Sequence, residues 1–174
     1  MAKILKRYMV MAMLLSVAIV ISYLESLIPI FVPGVKLGLA NVIILIMIYE
    51  FKWHEALLVD ILRILLVAII RGTLLNPVFF MSLFGAMFSF VIMFIFSKIK
   101  IFTALGTSVI GSFFHALGQI IACMIIVNLK EVISYLPLIA MLSIGTGFIS
   151  GFITDTYLRR SITNKFIECR IYNR

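Results

Sequence analysis

VFFMSLFGAMFSFVIMFIF (Val78–Phe96) contains no ionisable side chain. As a helix of this length it reaches about 28 Å, close to the ~30 Å hydrocarbon thickness of a bilayer. Asn76 and Pro77 stand before it, and Lys98 and Lys100 follow it. A helix on the surface of a soluble protein would need a polar face, and this stretch has none. It reads as a membrane span.

The whole chain agrees. Of 174 residues, 64% are apolar and 13% are charged, against about 45–50% and 25% in soluble domains. The mean hydropathy is +1.23. A globule of this size buries about 70% of its unfolded surface, and the polar residues here are too few to cover the remainder. A soluble enzyme acting on nucleic acid, a disulfide scaffold and a disordered chain are excluded. Cys123 and Cys169 have neither a pairing pattern nor metal-site spacing. The net charge of +8 fits basic loops held on the cytoplasmic side of a membrane, not a nucleic-acid partner. The basic N-terminus leads into an apolar run too long for a signal peptide, so it reads as a retained first span.

Working outward from Val78–Phe96 gives six expected spans. They are Tyr8–Ile28, Leu37–Tyr49, His54–Ile70, Val78–Phe96, Phe102–Val127 and Val132–Tyr157. The second is short and follows PIFVPGVKLG (Pro29–Gly38). No linker separates domains, so residues 1–160 form one membrane domain and 161–174 a basic cytoplasmic tail. With the N-terminus inside, Lys3, Lys6, Arg7, Lys52, Lys98, Lys100, Arg159, Arg160, Lys165, Arg170 and Arg174 lie on the inner side. Only Lys36, Arg71 and Lys130 lie outside. That asymmetry predicts a multi-pass protein with both termini in the cytoplasm. The fold class is an all-α, six-helix transmembrane bundle.

An ionisable residue inside a span costs about 2.5–3.5 kcal/mol at mid-helix, so it faces protein or water. Asp60 and Arg63 are three apart and share a helix face. They form either a packing ion pair or a site in which Asp60 positions Arg63 toward an anionic ligand. Arg71 closes the third span and Lys36 opens the second. Each either snorkels to headgroups or joins Arg63 in a cationic funnel open to the outside. The N-terminus of the short second helix would add backbone donors for an anion. His115 and Gln119 lie one turn apart, and either bond across to other helices or line a cavity. Asn41 and Ser82 lie at similar depth, as do Glu25 and Gly85. The expected ligand-binding set is Lys36, Asn41, Arg63, Arg71, Ser82, His115 and Gln119.

Small residues mark close helix contacts. Ala12 and Ser16, and then Ala18 and Ser22, are spaced four apart; they serve internal packing or docking of a partner subunit. Gly145, Gly147 and Gly151 repeat the theme in the sixth span. No Walker motif, aspartate cluster for magnesium, or nucleophile–base–orienter spacing is present. The chain is therefore expected to have no catalytic residues, no metal site and no enzyme activity of its own.

PGVKLGLANVIIL (Pro33–Leu45), FFMSLFGAMFS (Phe79–Ser89) and SVIGSFFHALGQ (Ser108–Gln119) resemble, in order, the signature of a bacterial membrane family. That family carries the labels heptaprenyl diphosphate synthase component I and Gx transporter. The resemblance covers nearly all of residues 8–157, with Ala116 standing where an asparagine is expected. The family is similar in size and span count to the S components of energy-coupling factor transporters. This likeness implies an S-component-like bundle in the bacterial cell membrane that docks on a membrane coupling subunit with ATPase subunits. It also implies a vitamin-like or flavin-type ligand, some relatives being linked to flavin traffic. The competing label implies a non-catalytic partner of a prenyl diphosphate synthase. Flavin nucleotide and isoprenoid diphosphate are the ligand expectations. The row Ala12, Ser16, Ala18 and Ser22 is expected to face the coupling subunit.

Overall fold

The computed structural model describes the backbone of residues 2–27, 36–99, 101–128 and 130–172, with side chains over 4–27, 36–99, 101–128 and 132–161. Six α-helices follow in order: α1 (Ala2–Leu27), α2 (Asn41–Glu50), α3 (Trp53–Ile70), α4 (Pro77–Lys98), α5 (Ala104–Ile126) and α6 (Leu136–Tyr172). A 3-10 turn, Lys130–Tyr135, leads into α6. Among the described residues there is no strand. Local signals set the boundaries. Pro77 opens α4 behind Asn76, where the missing N–H goes unneeded. Thr103 caps α5 by accepting from the Gly106 amide at 3.2 Å. Gly72, at φ +63°, ends α3 in the left-handed region.

Four helices, α1, α4, α5 and α6, are long and apolar enough to cross a membrane. This is an integral membrane protein. α3 is nearly as long but carries Glu55, Asp60 and Arg63. The expected second span is corrected: α2 has 10 residues, about 15 Å of helix and half a bilayer core. Its residues Asn41 to Ile48 are all buried, so α2 is clad by protein on every side. An apolar helix with no polar face suits that position. Residues 161–172, within the expected basic tail, continue α6. Ser161 there donates to Glu50 Oε1 at 2.8 Å, tying α6 to the end of α2.

Lipid is as apolar as leucine, so helix association in a membrane depends on close packing. Here α5 is the central helix, and glycine sets its distance to both neighbours. A Cβ on Gly118 would lie 3.0 Å from the Gly85 Cα of α4. On the opposite side, a Cβ on Gly147 or Gly151 of α6 would come within 2.8 Å and 2.7 Å of the Val109 and Leu105 Cα atoms. Gly145 meets nothing within 4 Å, and so does not join this contact. α1 packs mainly on α3 and leaves Val17, Val20, Leu24 and Leu27 exposed.

The small-residue row on α1 divides. Ala12 and Ser16 are exposed, whereas Ala18 and Ser22 are buried. Ala18 packs with Val42 and Ile43 of α2. A step of two residues turns a helix by about 200°, so the pairs face opposite ways. The four residues do not make one surface.

Candidate ligand-binding site

The non-helical segment 36–40 runs into α2 with Gly38 and Ala40 buried. Buried backbone must have its polar groups satisfied. The Lys36 amide donates to Gln119 Oε1 at 2.9 Å. The Gly38 amide donates to Glu25 Oε1, and the Leu39 amide reaches the same oxygen at 3.3 Å. Gly38 has φ +83°, and a Cβ there would meet Asn41 Nδ2 at 3.0 Å and His115 Cδ2 at 3.4 Å. Only glycine takes this conformation without strain.

These bonds fix the state of His115. Gln119 must turn its oxygen toward the Lys36 N–H, which leaves its Nε2 facing His115 Nε2 at 3.0 Å. An amide NH2 only donates, so His115 accepts at Nε2 and carries its proton on Nδ1. His115 Nδ1 has no hydrogen-bond partner within 3.5 Å, although the residue is only 4% exposed and the Gly85 backbone lies beside its ring. Arg63 is in a similar position. Its Nη2 donates to Asp60 Oδ1 at 2.6 Å and its Nη1 contacts Ser22 Oγ at 3.4 Å, while Nε is unpartnered.

Both side chains line one cavity, together with Ser22, Glu25, Lys36, Gly38, Ile64, Val67 and Ser82. It lies in the half of the bundle nearer the turn between α3 and α4. About 20 Å³ is open to the centre of a water-sized sphere, room for roughly one water. Lys36, half-buried in the segment before α2, also lines it. Burial and then the field of Arg63 push its ammonium down to about 8.

Of the seven expected ligand residues, Lys36, Arg63, Ser82 and His115 line the cavity. Gln119 stands behind them, holding Lys36 and His115 in place. Ser82 turns its hydroxyl proton to Val78 O at 2.9 Å, so its lone pairs remain for the cavity. Asn41 instead donates to Ser89 Oγ at 3.1 Å. Arg71 does not line the cavity, although its charge acts on Lys36. Pro29, Pro33 and Gly34 of the expected rim lie outside the described residues. Two cavity residues had no assigned role in ligand binding. Glu25 is 3% exposed and Ser22 is 6% exposed. Their i, i+3 spacing on α1, which put both on one face, was the available signal.

Residues 14–157 match the profile described as heptaprenyl diphosphate synthase component I. The chain belongs to that family. The match takes in α2, α3, α4 and α5 entire, the second half of α1, the first part of α6, and every cavity residue. No curated protein and no solved structure gives a significant match. Among the described residues no group of three His, Cys, Asp or Glu side chains could hold a metal ion.

Proposed function

We propose that this component I protein is a ligand-binding membrane subunit, S-component-like, for an anionic small molecule. One observation carries the reading: two buried donors without hydrogen-bond partners, Arg63 Nε and His115 Nδ1, belong to residues that line one cavity together with Lys36. Buried donors are normally paired. Two spare donors and a lysine on a shared space call for an acceptor-rich ligand, and Arg63 and Lys36 carry charge. Phosphate meets that need, as in a flavin nucleotide or an isoprenoid diphosphate. The energy for transport would come from a membrane coupling subunit and ATPase subunits. The protein would sit in the bacterial cell membrane with both termini in the cytoplasm and act without catalysing a reaction itself.

The family's own description favours a second reading, a non-catalytic membrane partner of a prenyl diphosphate synthase. Purification in mild detergent separates the two. Co-purification of a coupling protein with ATPases supports the transport reading, and co-purification of a soluble Asp-rich synthase supports the other.

A further inference from the structure

Two basic side chains, Lys36 and Arg63, and one acidic side chain, Glu25, line the cavity, with Asp60 beside Arg63. In their ordinary ionised forms the four charges sum to zero. Asp60 is tied to Arg63 at 2.6 Å. Glu25 lines the same cavity, yet forms no ion pair with Lys36 or Arg63 within 4.0 Å among the described residues. Both its hydrogen bonds, from Gly38 and Leu39, fall on Oε1, leaving Oε2 as the oxygen able to take a proton.

We infer that binding of the anionic ligand is coupled to uptake of one proton from solution onto Glu25 Oε2. This rests on the proposed anion-binding reading. An anion placed against an ionised Glu25 in a low-dielectric site leaves uncompensated negative charge, which is strongly unfavourable. A proton on Glu25 removes it, and Oε1 keeps its two amide donors. Every other charged or titratable group facing Glu25 is unsuited to this task. Lys36 and Arg63 are already cationic. Asp60 is held by Arg63. His115 on α5 accepts from Gln119 at Nε2, so a second proton there would meet an N–H donor. Ser82 is the α4 residue at the cavity, and it does not titrate. Arg71 stands outside the lining, where it balances part of a dianion.

The test is calorimetric titration of the full chain in mild detergent with flavin mononucleotide, then with farnesyl diphosphate, at pH 7 in buffers of different ionisation enthalpy. At pH 7 Lys36, with its value of about 8, is roughly nine-tenths charged. A phosphate monoester, with its second ionisation near 6, is roughly nine-tenths dianionic. Lys36 can therefore take up no more than about 0.1 proton, whereas the phosphate could take up as much as about 0.9, so the Glu25→Gln comparison assigns the uptake. The expected result is about one proton taken up per ligand bound. Glu25→Gln, which keeps an oxygen for Gly38 and Leu39, should bind at least as tightly with almost no uptake. Binding by the parent without uptake overturns the coupling and leaves the anion site standing. Uptake that persists in Glu25→Gln overturns Glu25 as the acceptor. No binding of either probe overturns both readings together.

Discussion

Arg63 has two roles that a single substitution cannot separate. Its Nη2 neutralises Asp60, which is 1% exposed, while its Nε faces the cavity. Arg63→Gln leaves a buried carboxylate unpaired and should destabilise the fold by about 3–5 kcal/mol. Asp60→Asn with Arg63→Gln should recover most of that, measured by thermal unfolding in detergent. A double variant as unstable as Arg63→Gln alone would show that the pair is not the source of the loss. Lys36 gives the cleaner reading of binding because no ion pair depends on it among the described residues. Its ammonium, pushed down to about 8 by burial and Arg63, attracts an anion only while protonated. Because proton uptake by Glu25 already makes anion affinity fall with rising pH, the fall should steepen as pH rises through about 8. A Lys36→Arg variant should remove the steepening, and an unchanged profile would exclude Lys36 from the site. The pairing of Asp60 with Arg63 was legible from spacing alone, and so was the shared face of His115 and Gln119, though not their bond to each other. The partnership of Glu25 with segment 36–40 was not, because it depends on how a non-helical stretch folds back on α1.

At the scale of helices, Gly85 shows how packing supports the site. A Cβ there would come 2.6 Å from Gln119 Cγ and 2.9 Å from the His115 carbonyl oxygen. Gly85→Ala should push Gln119 away, free the Lys36 amide and unsettle the His115 tautomer. The expected cost is about 1–3 kcal/mol, together with weaker anion binding. Gly145→Ala, with open space around it, is the control and should leave both unchanged. On α1, Ala18→Leu overpacks the contact with Val42 and Ile43 and should destabilise by a similar amount. Ala12→Leu lies on an exposed face and should leave the isolated protein unaffected. Loss of co-purifying subunits in Ala12→Leu alone would mark that face as a docking surface; retention would assign it to lipid. The sequence showed rows of small residues without showing which way each row turned. Ala12 and Ala18 differ by six residues, and such pairs belong to different faces once α1 has a neighbour on one side only. The half-length of α2 was likewise hidden, because Leu37–Ala40 are as apolar as the helix they precede.

Over the whole molecule, composition and apolar run lengths dictated a helical membrane bundle, and the order of helices follows the apolar segments. The cavity's lining was beyond their reach, since it depends on side-chain positions across α1, α3, α4 and α5. The bundle brings donors from three chain segments, Lys36, Arg63 and His115, to one cavity, and an anion is the chemistry they share. Equilibrium binding of flavin mononucleotide, farnesyl diphosphate and uncharged riboflavin to the parent and to Lys36→Gln tests this most directly. A charge-assisted bond contributes about 1.5–3 kcal/mol, so Lys36→Gln should weaken binding of an anionic ligand at pH 7 about tenfold or more. Riboflavin should bind weakly to both proteins and show no difference between them. Equal loss of charged and uncharged ligands in Lys36→Gln, or unchanged binding of the anions, would contradict an anion site at this cavity.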